Sequence, residues 1–381
     1  MKVINLAERA VRVTAPFVVG VSFAACGSTS HGVDGESGGT SSEYNPGTGG
    51  KAGYVNGGAS NGGAISDSGV ALPTGDANCG VQTSGATKLP TDVLLVLDRS
   101  GSMSESIAAD CCCANACRTT TGAKMCSDTS NCTERWPALT TAVISTLTAT
   151  NTINWGLKLY SSPSQSSSCG VNPGVEVAVG SGSASGIQSQ ISSVTPGGNT
   201  PTARAVSAAT SYLQTVTDPN TKVILLATDG EPNCLGGSGS TSDVDGTKTA
   251  IGAALTEGYK VYVIGIGPSV GNLDNFAQAG GTDHYYPATS AADLATALAA
   301  ISKAVSSCTF EMSQSPPDPS NLAVYMDGAL VAKDNANGWS FGSNSQTVIL
   351  NGTACDKITT GAATNVQVLF GCPGQSPPQI L

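Results

Sequence analysis

One stretch of the chain restricts the fold more than any other. Residues 92–97 read Asp-Val-Leu-Leu-Val-Leu and are closed by Asp98. An apolar run without alternation is the pattern of a strand buried on both faces of a parallel sheet. Similar runs occupy 153–160, 222–227 and 259–266, with helical periodicity over 135–148, 201–216, 247–257 and 291–305 between and after them. A weaker alternation over 175–179 fits an edge strand paired antiparallel. Strands alternating with helices predict an α/β fold: a doubly wound, mostly parallel sheet with helices on both faces.

In such sheets ligands collect at the carboxyl ends of the strands. The first strand runs into Asp98-Arg99-Ser100-Gly101-Ser102, and the 222–227 strand runs into Thr228-Asp229-Gly230. A third polar segment, Gly197-Gly198-Asn199-Thr200-Pro201, opens the helix before that strand. Each piece has an ordinary structural explanation. Thr200 before Pro201 suits a helix N-cap, and Asp, Ser and Gly are common turn residues. What needs explaining is their joint arrival at one sheet edge.

This order of residues resembles the von Willebrand factor A (VWA) domain and its metal-ion-dependent adhesion site (MIDAS). The resemblance covers about 88–307 and extends to 281–294, which is similar to the family's last strand and helix. It implies a divalent cation, Mg²⁺ or else Mn²⁺ or Ca²⁺, held by Asp98, Ser100, Ser102, Thr200 and Asp229. Mg²⁺ takes six hard oxygens and keeps several waters, a demand met by three hydroxyls and two carboxylates. The resemblance further implies a protein ligand whose Asp or Glu carboxylate completes the shell.

Other chemistries lack their residues. Gly265-Ile266-Gly267 is followed next by Gly271, which misses the dinucleotide spacing. No G-x-S-x-G elbow accompanies His284, and the other histidine is His31. No enzymatic activity is expected. With 17 basic against 27 acidic residues and a net charge of −10, nucleic acid is not an expected partner.

Thirteen cysteines point to an oxidising compartment. The N-terminus supplies a route there. Lys2, Arg9 and Arg12 precede an apolar run over 13–25, the order of a signal peptide (1–25). Phe23-Ala24-Ala25-Cys26 resembles the lipobox of bacterial lipoproteins, which implies a lipidated Cys26; the alternative is plain cleavage near Ala25. The expected location is exported and membrane-anchored, at the outer membrane or cell surface, with the lipid as the only membrane contact. Residues 26–78, rich in Gly, Ser, Asn and Thr, read as a disordered tether.

Within the expected VWA segment (79–307), an insert at 104–133 carries Cys111, Cys112, Cys113, Cys117, Cys126 and Cys132. These are expected to pair among themselves as a disulfide-knit knob; a zinc site is the rival. Cys169 and Cys234, each following a core strand, are expected to bond at the rim. Cys79 with Cys308, and Cys355 with Cys372, are the remaining expected pairs, with Cys308 to Cys372 as competitor. Residues 308–381 read as a small C-terminal all-β module and tail. The function expected is a lipid-anchored, non-catalytic envelope protein binding a protein ligand through its cation. The alternative is a structural or assembly subunit in which the metal is incidental.

Overall fold

The computed structural model describes residues 82–150, 152–162, 168–342 and 344–371. The expected signal peptide, Cys26, the tether, Cys79 and Cys372 lie outside them.

The chain forms strands β1 (Gln82–Lys88), β2 (Thr91–Asp98), β3 (Ile153–Tyr160), β4 (Val177–Gly180), β5 (Thr221–Thr228), β6 (Lys260–Ile266) and β7 (Tyr286–Ala288). Then come β8 (Thr309–Met312), β9 (Leu322–Met326), β10 (Ala329–Val331), β11 (Trp339–Phe341), β12 (Thr347–Leu350) and β13 (Val366–Phe370). The helices are α1 (Asn115–Thr121), α2 (Arg135–Ala149), α3 (Ala184–Ser193), α4 (Thr202–Leu213), α5 (Val244–Thr256), α6 (Leu273–Ala279), α7 (Ala291–Ala304) and α8 (Thr353–Thr359).

A six-stranded sheet has the order β4-β3-β2-β5-β6-β7. All its pairings are parallel except β3 with β4. β2 is buried along its whole length, and its side chains divide between two cores. Val93, Leu95 and Leu97 pack with Leu139 and Val143 of α2, Ile187 of α3 and Leu298 of α7. Leu94 and Val96 pack with Val206 of α4, Ile251 of α5 and Phe276 of α6. Helices therefore cover both faces, which is why β2 carries an apolar residue at each position from Val93 to Leu97.

The second sheet corrects the sequence reading. It has seven strands, ordered β10-β9-β13-β1-β8-β12-β11, and every pairing is antiparallel. The doubly wound, parallel description thus applies to the six-stranded sheet alone. Nor is the β module purely C-terminal, because β1 lies between β13 and β8, with Gln82 opposite Phe370 and Ala86 opposite Met312. Residues 82–88, expected in the VWA segment, belong to the other sheet, and the six-stranded domain is inserted between β1 and β8. Gln-Thr-Ser-Gly-Ala-Thr-Lys offers no large apolar side chain to mark a strand; its place comes from backbone bonding to two neighbours. The module is also not all-β, since α8 packs Ala354 into its core beside Phe310, Trp339 and Val368.

The cysteines follow the expectation only in part. Cys111–Cys126, Cys112–Cys117 and Cys113–Cys132 close within the insert. Cys169 bonds Cys234 across the rim. Cys308, however, bonds Cys355, so the Cys79–Cys308, Cys355–Cys372 and Cys308–Cys372 pairings do not occur. The reason is local: β8 starts just after Cys308, and the α8 that carries Cys355 lies over the same core.

Candidate metal site

β2 and β5 are parallel neighbours, with Leu97 beside Ala227, so their loops emerge together. Asp98, fully buried, is held by both oxygens. Oδ1 accepts the Ser100 N–H at 2.8 Å and Oδ2 accepts the Thr228 hydroxyl at 2.8 Å. The Ser100 and Ser102 hydroxyls are 3.0 Å apart, and Ser102 donates to Asp229 Oδ1 at 3.0 Å. Asp98, joined through the Ser100 N–H, and the side-chain oxygens of Ser100, Ser102 and Asp229 thus form one continuous hydrogen-bonded network.

Thr200 is carried in by a separate scaffold. Gly101 N–H donates to the Gly198 carbonyl at 3.0 Å, and Gly197 N–H donates to the Arg99 carbonyl at 2.7 Å. These bonds lay the 197–200 turn against the first loop. Gly198 sits at φ +84°, and a Cβ there would come within 2.3 Å of Ser161 Oγ, so no other residue fits. The Thr200 N–H donates to Asn233 Oδ1 at 2.8 Å, while Asn233 N–H returns to the Thr200 carbonyl at 3.0 Å. Next to Asn233, Cys234 is stapled to Cys169. No side-chain cap bond forms at the start of α4, so Thr200 does not serve as the helix cap its place before Pro201 suggested. It is 5% exposed.

The electrostatics of the network ask for a cation. Burial, reinforced by the negative charge of Asp229, pushes the Asp98 carboxyl up to about 7. Burial likewise raises Asp229, against the pull of Arg135. Two desolvated carboxyls flanked by hydroxyls are costly unless a positive charge joins them. Hard oxygens of this kind suit Mg²⁺, Mn²⁺ or Ca²⁺ and do not suit soft ions. The donor set fits the cation that the resemblance implies.

A further residue completes the site, and it was invisible as a site residue in the sequence. Arg135, the first residue of α2, is 2% exposed and donates through Nη1 to Asp229 Oδ2 at 2.9 Å. The same guanidinium reaches Asp110 at 2.6 Å and Glu105 at 3.5 Å, and bonds the carbonyls of Ser102 and Ser106. One signal was available. A buried cation at a helix N-terminus opposes the helix dipole, so it must have acidic partners close by.

Against known proteins, the family model of the von Willebrand factor type A domain matches residues 138–300. Over these residues the chain is similar to the VWA family. The match includes Thr200 and Asp229 and begins beyond the insert, which separates it from Asp98, Ser100 and Ser102. No curated protein matches the chain in sequence. Among solved structures it is similar to the pilus adhesin SpaC from Lactobacillus rhamnosus GG, at 19% identity and a TM-score of 0.43, covering 78% of this chain and 44% of that one. The chain therefore spans less than half the length of that adhesin. It is also similar to the vWF domain of the type V pili tip protein Mfa5 from Porphyromonas gingivalis, at 13% identity and a TM-score of 0.42, covering 58% of this chain and 96% of that one. A third is proximal thread matrix protein 1 from the mussel byssus with a zinc-occupied MIDAS motif, at 16% identity and a TM-score of 0.39, covering 59% of this chain and 50% of that one.

The Cys-rich insert is anchored rather than appended. Ile107 is buried in the core beneath α2, and Ser106 and Glu134 form a bridge where the insert leaves and rejoins the domain. The insert's sulfurs are taken up in disulfides, so the zinc alternative does not hold. Its acidic residue Asp110, next to Cys111, accepts from both Arg135 and Ser269. Among the described residues, no helix is long and apolar enough to cross a membrane.

Proposed function

We propose that the chain is a non-catalytic binding protein that captures an acidic group of a protein partner through a divalent cation. The observation that supports this reading is the unbroken Asp98–Ser100–Ser102–Asp229 network at the carboxyl edge of the parallel sheet, with the turn that carries Thr200 bonded to the same loop. Ser100, Ser102 and Thr200 would hold the ion through hydroxyls, and Asp98 and Asp229 would hold it directly or through water. Once bound, the cation acts as a Lewis acid that accepts a carboxylate from outside the chain. Asp229 already shares its charge with Arg135, so the ion receives little negative charge from the protein and keeps its attraction for the partner's Asp or Glu. Mg²⁺ is the ion proposed.

The rest of the reading belongs to the N-terminal sequence: export, lipidation at Cys26, and display at the outer membrane or cell surface through the Gly- and Ser-rich segment 26–78. Capture of partners from native cell envelopes, with Mg²⁺ and with chelator, tests the function. Partners held only with Mg²⁺ are expected. Equal recovery under both conditions would instead support an assembly subunit whose metal is incidental.

A further inference from the structure

Arg135 does more than neutralise charge. Its Nη1 occupies Oδ2 of Asp229, while Oδ1 of the same carboxylate faces Ser102 in the oxygen network. The guanidinium cannot swing away, because four further groups hold it. Nε donates to the Ser106 carbonyl at 3.2 Å, Nη1 to the Ser102 carbonyl at 3.3 Å, and Nη2 to Asp110 at 2.6 Å, with Glu105 at 3.5 Å. Asp110 is in turn tied to Ser269 on the loop after β6 and adjoins the Cys111–Cys126 bridge. Gly267, at φ +97°, leaves the space: a Cβ there would stand 2.9 Å from the Arg135 nitrogens. Arginine suits this task because its planar fork keeps several bonds at fixed angles, which a lysine ammonium does not.

Oδ2 of Asp229 faces a held, charged guanidinium that repels a second cation, whereas Oδ1 faces the Ser102 hydroxyl, which can turn its hydrogen away; Oδ1 is therefore the oxygen open to a metal. Mg²⁺ and Mn²⁺ accept single-oxygen carboxylates in an octahedron, whereas Ca²⁺ takes six to eight ligands and often binds carboxylates through both oxygens. We infer that Arg135 is a positioning residue which fixes Asp229 as a one-oxygen ligand and thereby selects small octahedral cations over Ca²⁺. The inference rests on the cation-binding reading above. It also gives the insert a role: Asp110, Glu105 and the disulfides around them clamp the guanidinium that sets this selectivity.

The test is titration of the whole folded chain with Mg²⁺ and with Ca²⁺ by calorimetry, for wild type and Arg135→Met. Loss of the guanidinium charge affects both divalent ions alike and cancels in the ratio of their affinities, whereas freeing Oδ2 favours Ca²⁺ alone. The preference for Mg²⁺ over Ca²⁺ is expected to fall about tenfold or more, the scale seen when a partner that orients a metal ligand is removed. An unchanged ratio overturns the inference while leaving the cation site standing. No binding of either ion by wild type would overturn the cation site itself. Should Arg135→Met not fold, the crystal structure of wild type with Mn²⁺ decides: Asp229 bound through one oxygen with Arg135 on the other is expected, and Asp229 bound through both oxygens overturns it.

Discussion

In the six-stranded sheet, β2, β3, β5, β6 and β7 run the same way, so the loops after them gather at one edge. Asp98, Thr228 and Asp229 leave two of those strands already within bonding distance, and one arginine reaches across to the loop after β6. In the seven-stranded sheet every neighbour is antiparallel, and successive turns alternate between opposite edges. Its buried polar groups are accordingly dispersed. Ser84 meets Ser313 at 3.2 Å, and Thr347 bonds Asn344 in its own turn at 2.8 Å. Both sheets own a well-packed core, but only the one with aligned strand directions concentrates charge. Topology makes the site, and side-chain chemistry then fills it.

The sharpest way to break this division is to cut one staple on each side. Cys169–Cys234 spans 65 residues and Cys308–Cys355 spans 47, so removing either pair by Cys→Ala is expected to cost about 4 kcal/mol in denaturant unfolding. Their effects on the site should part. Opening Cys169–Cys234 releases the segment that holds Asn233 against Thr200 and should weaken cation binding. Opening Cys308–Cys355 should leave it intact in calorimetric titration. Equal weakening by both would mean the two sheets do not divide the labour as described.

A smaller cut falls on β1. Ser84→Pro would remove a ladder hydrogen bond from a strand with partners on both sides, costing about 3 kcal/mol. Hydrogen exchange should show faster exchange in β8 and β13 with little change in β2 and β5. The size of that effect would contrast with how little the sequence of β1 announces.

The same contrast explains what could be read in advance. β2, β3, β5 and β6 are buried on both faces, so their apolar runs are long and unmistakable, and the helices between them carry clear periodicity. The loops that carry Asp98, Ser100, Ser102 and Asp229 follow from those runs, and their resemblance to the VWA metal-site motif, with Thr200, is what let the five be named together. β1 bears no hydrophobic mark because Thr83 and Thr87 are exposed and the buried Ser84 pairs with Ser313. Arg135 escaped notice because its partners, Glu105, Asp110 and Asp229, are brought to it only by the folded insert and the sheet. The Cys308–Cys355 bridge depends on where α8 lies, and a single amphipathic turn near a cysteine does not fix that.

Asp98→Ala should act on the first sheet alone. In wild type, a cation at a hundred times its dissociation constant stabilises the fold by about 2.7 kcal/mol. The variant should lose that increment in thermal melts, with Mg²⁺ and chelator giving the same midpoint. Hydrogen exchange on wild type should place the Mg²⁺-induced protection in β2, β5 and their loops and not in β9 or β13. Protection spread evenly over both sheets would blur the comparison.

The gentlest probe is pH. The Asp98 carboxyl is raised to about 7 by burial and by Asp229, above its value in the unfolded chain. The native state therefore keeps a proton that the unfolded chain releases, and this contribution to stability is fully present at low pH. It is lost as pH climbs from about 4 towards 7, at about 1 kcal/mol per pH unit for one proton. Asp98→Asn keeps a neutral side chain of similar shape, so in chelator its stability should lack that slope, and the gap between it and wild type should open with rising pH. Saturating Mg²⁺ should flatten the wild-type curve, because the ion takes over the compensation the proton had supplied. A wild-type slope that matches Asp98→Asn throughout would mean that Asp98 is already charged at low pH. The cation would then have no proton to displace, and its binding should show no pH dependence between 5 and 7 arising from this group.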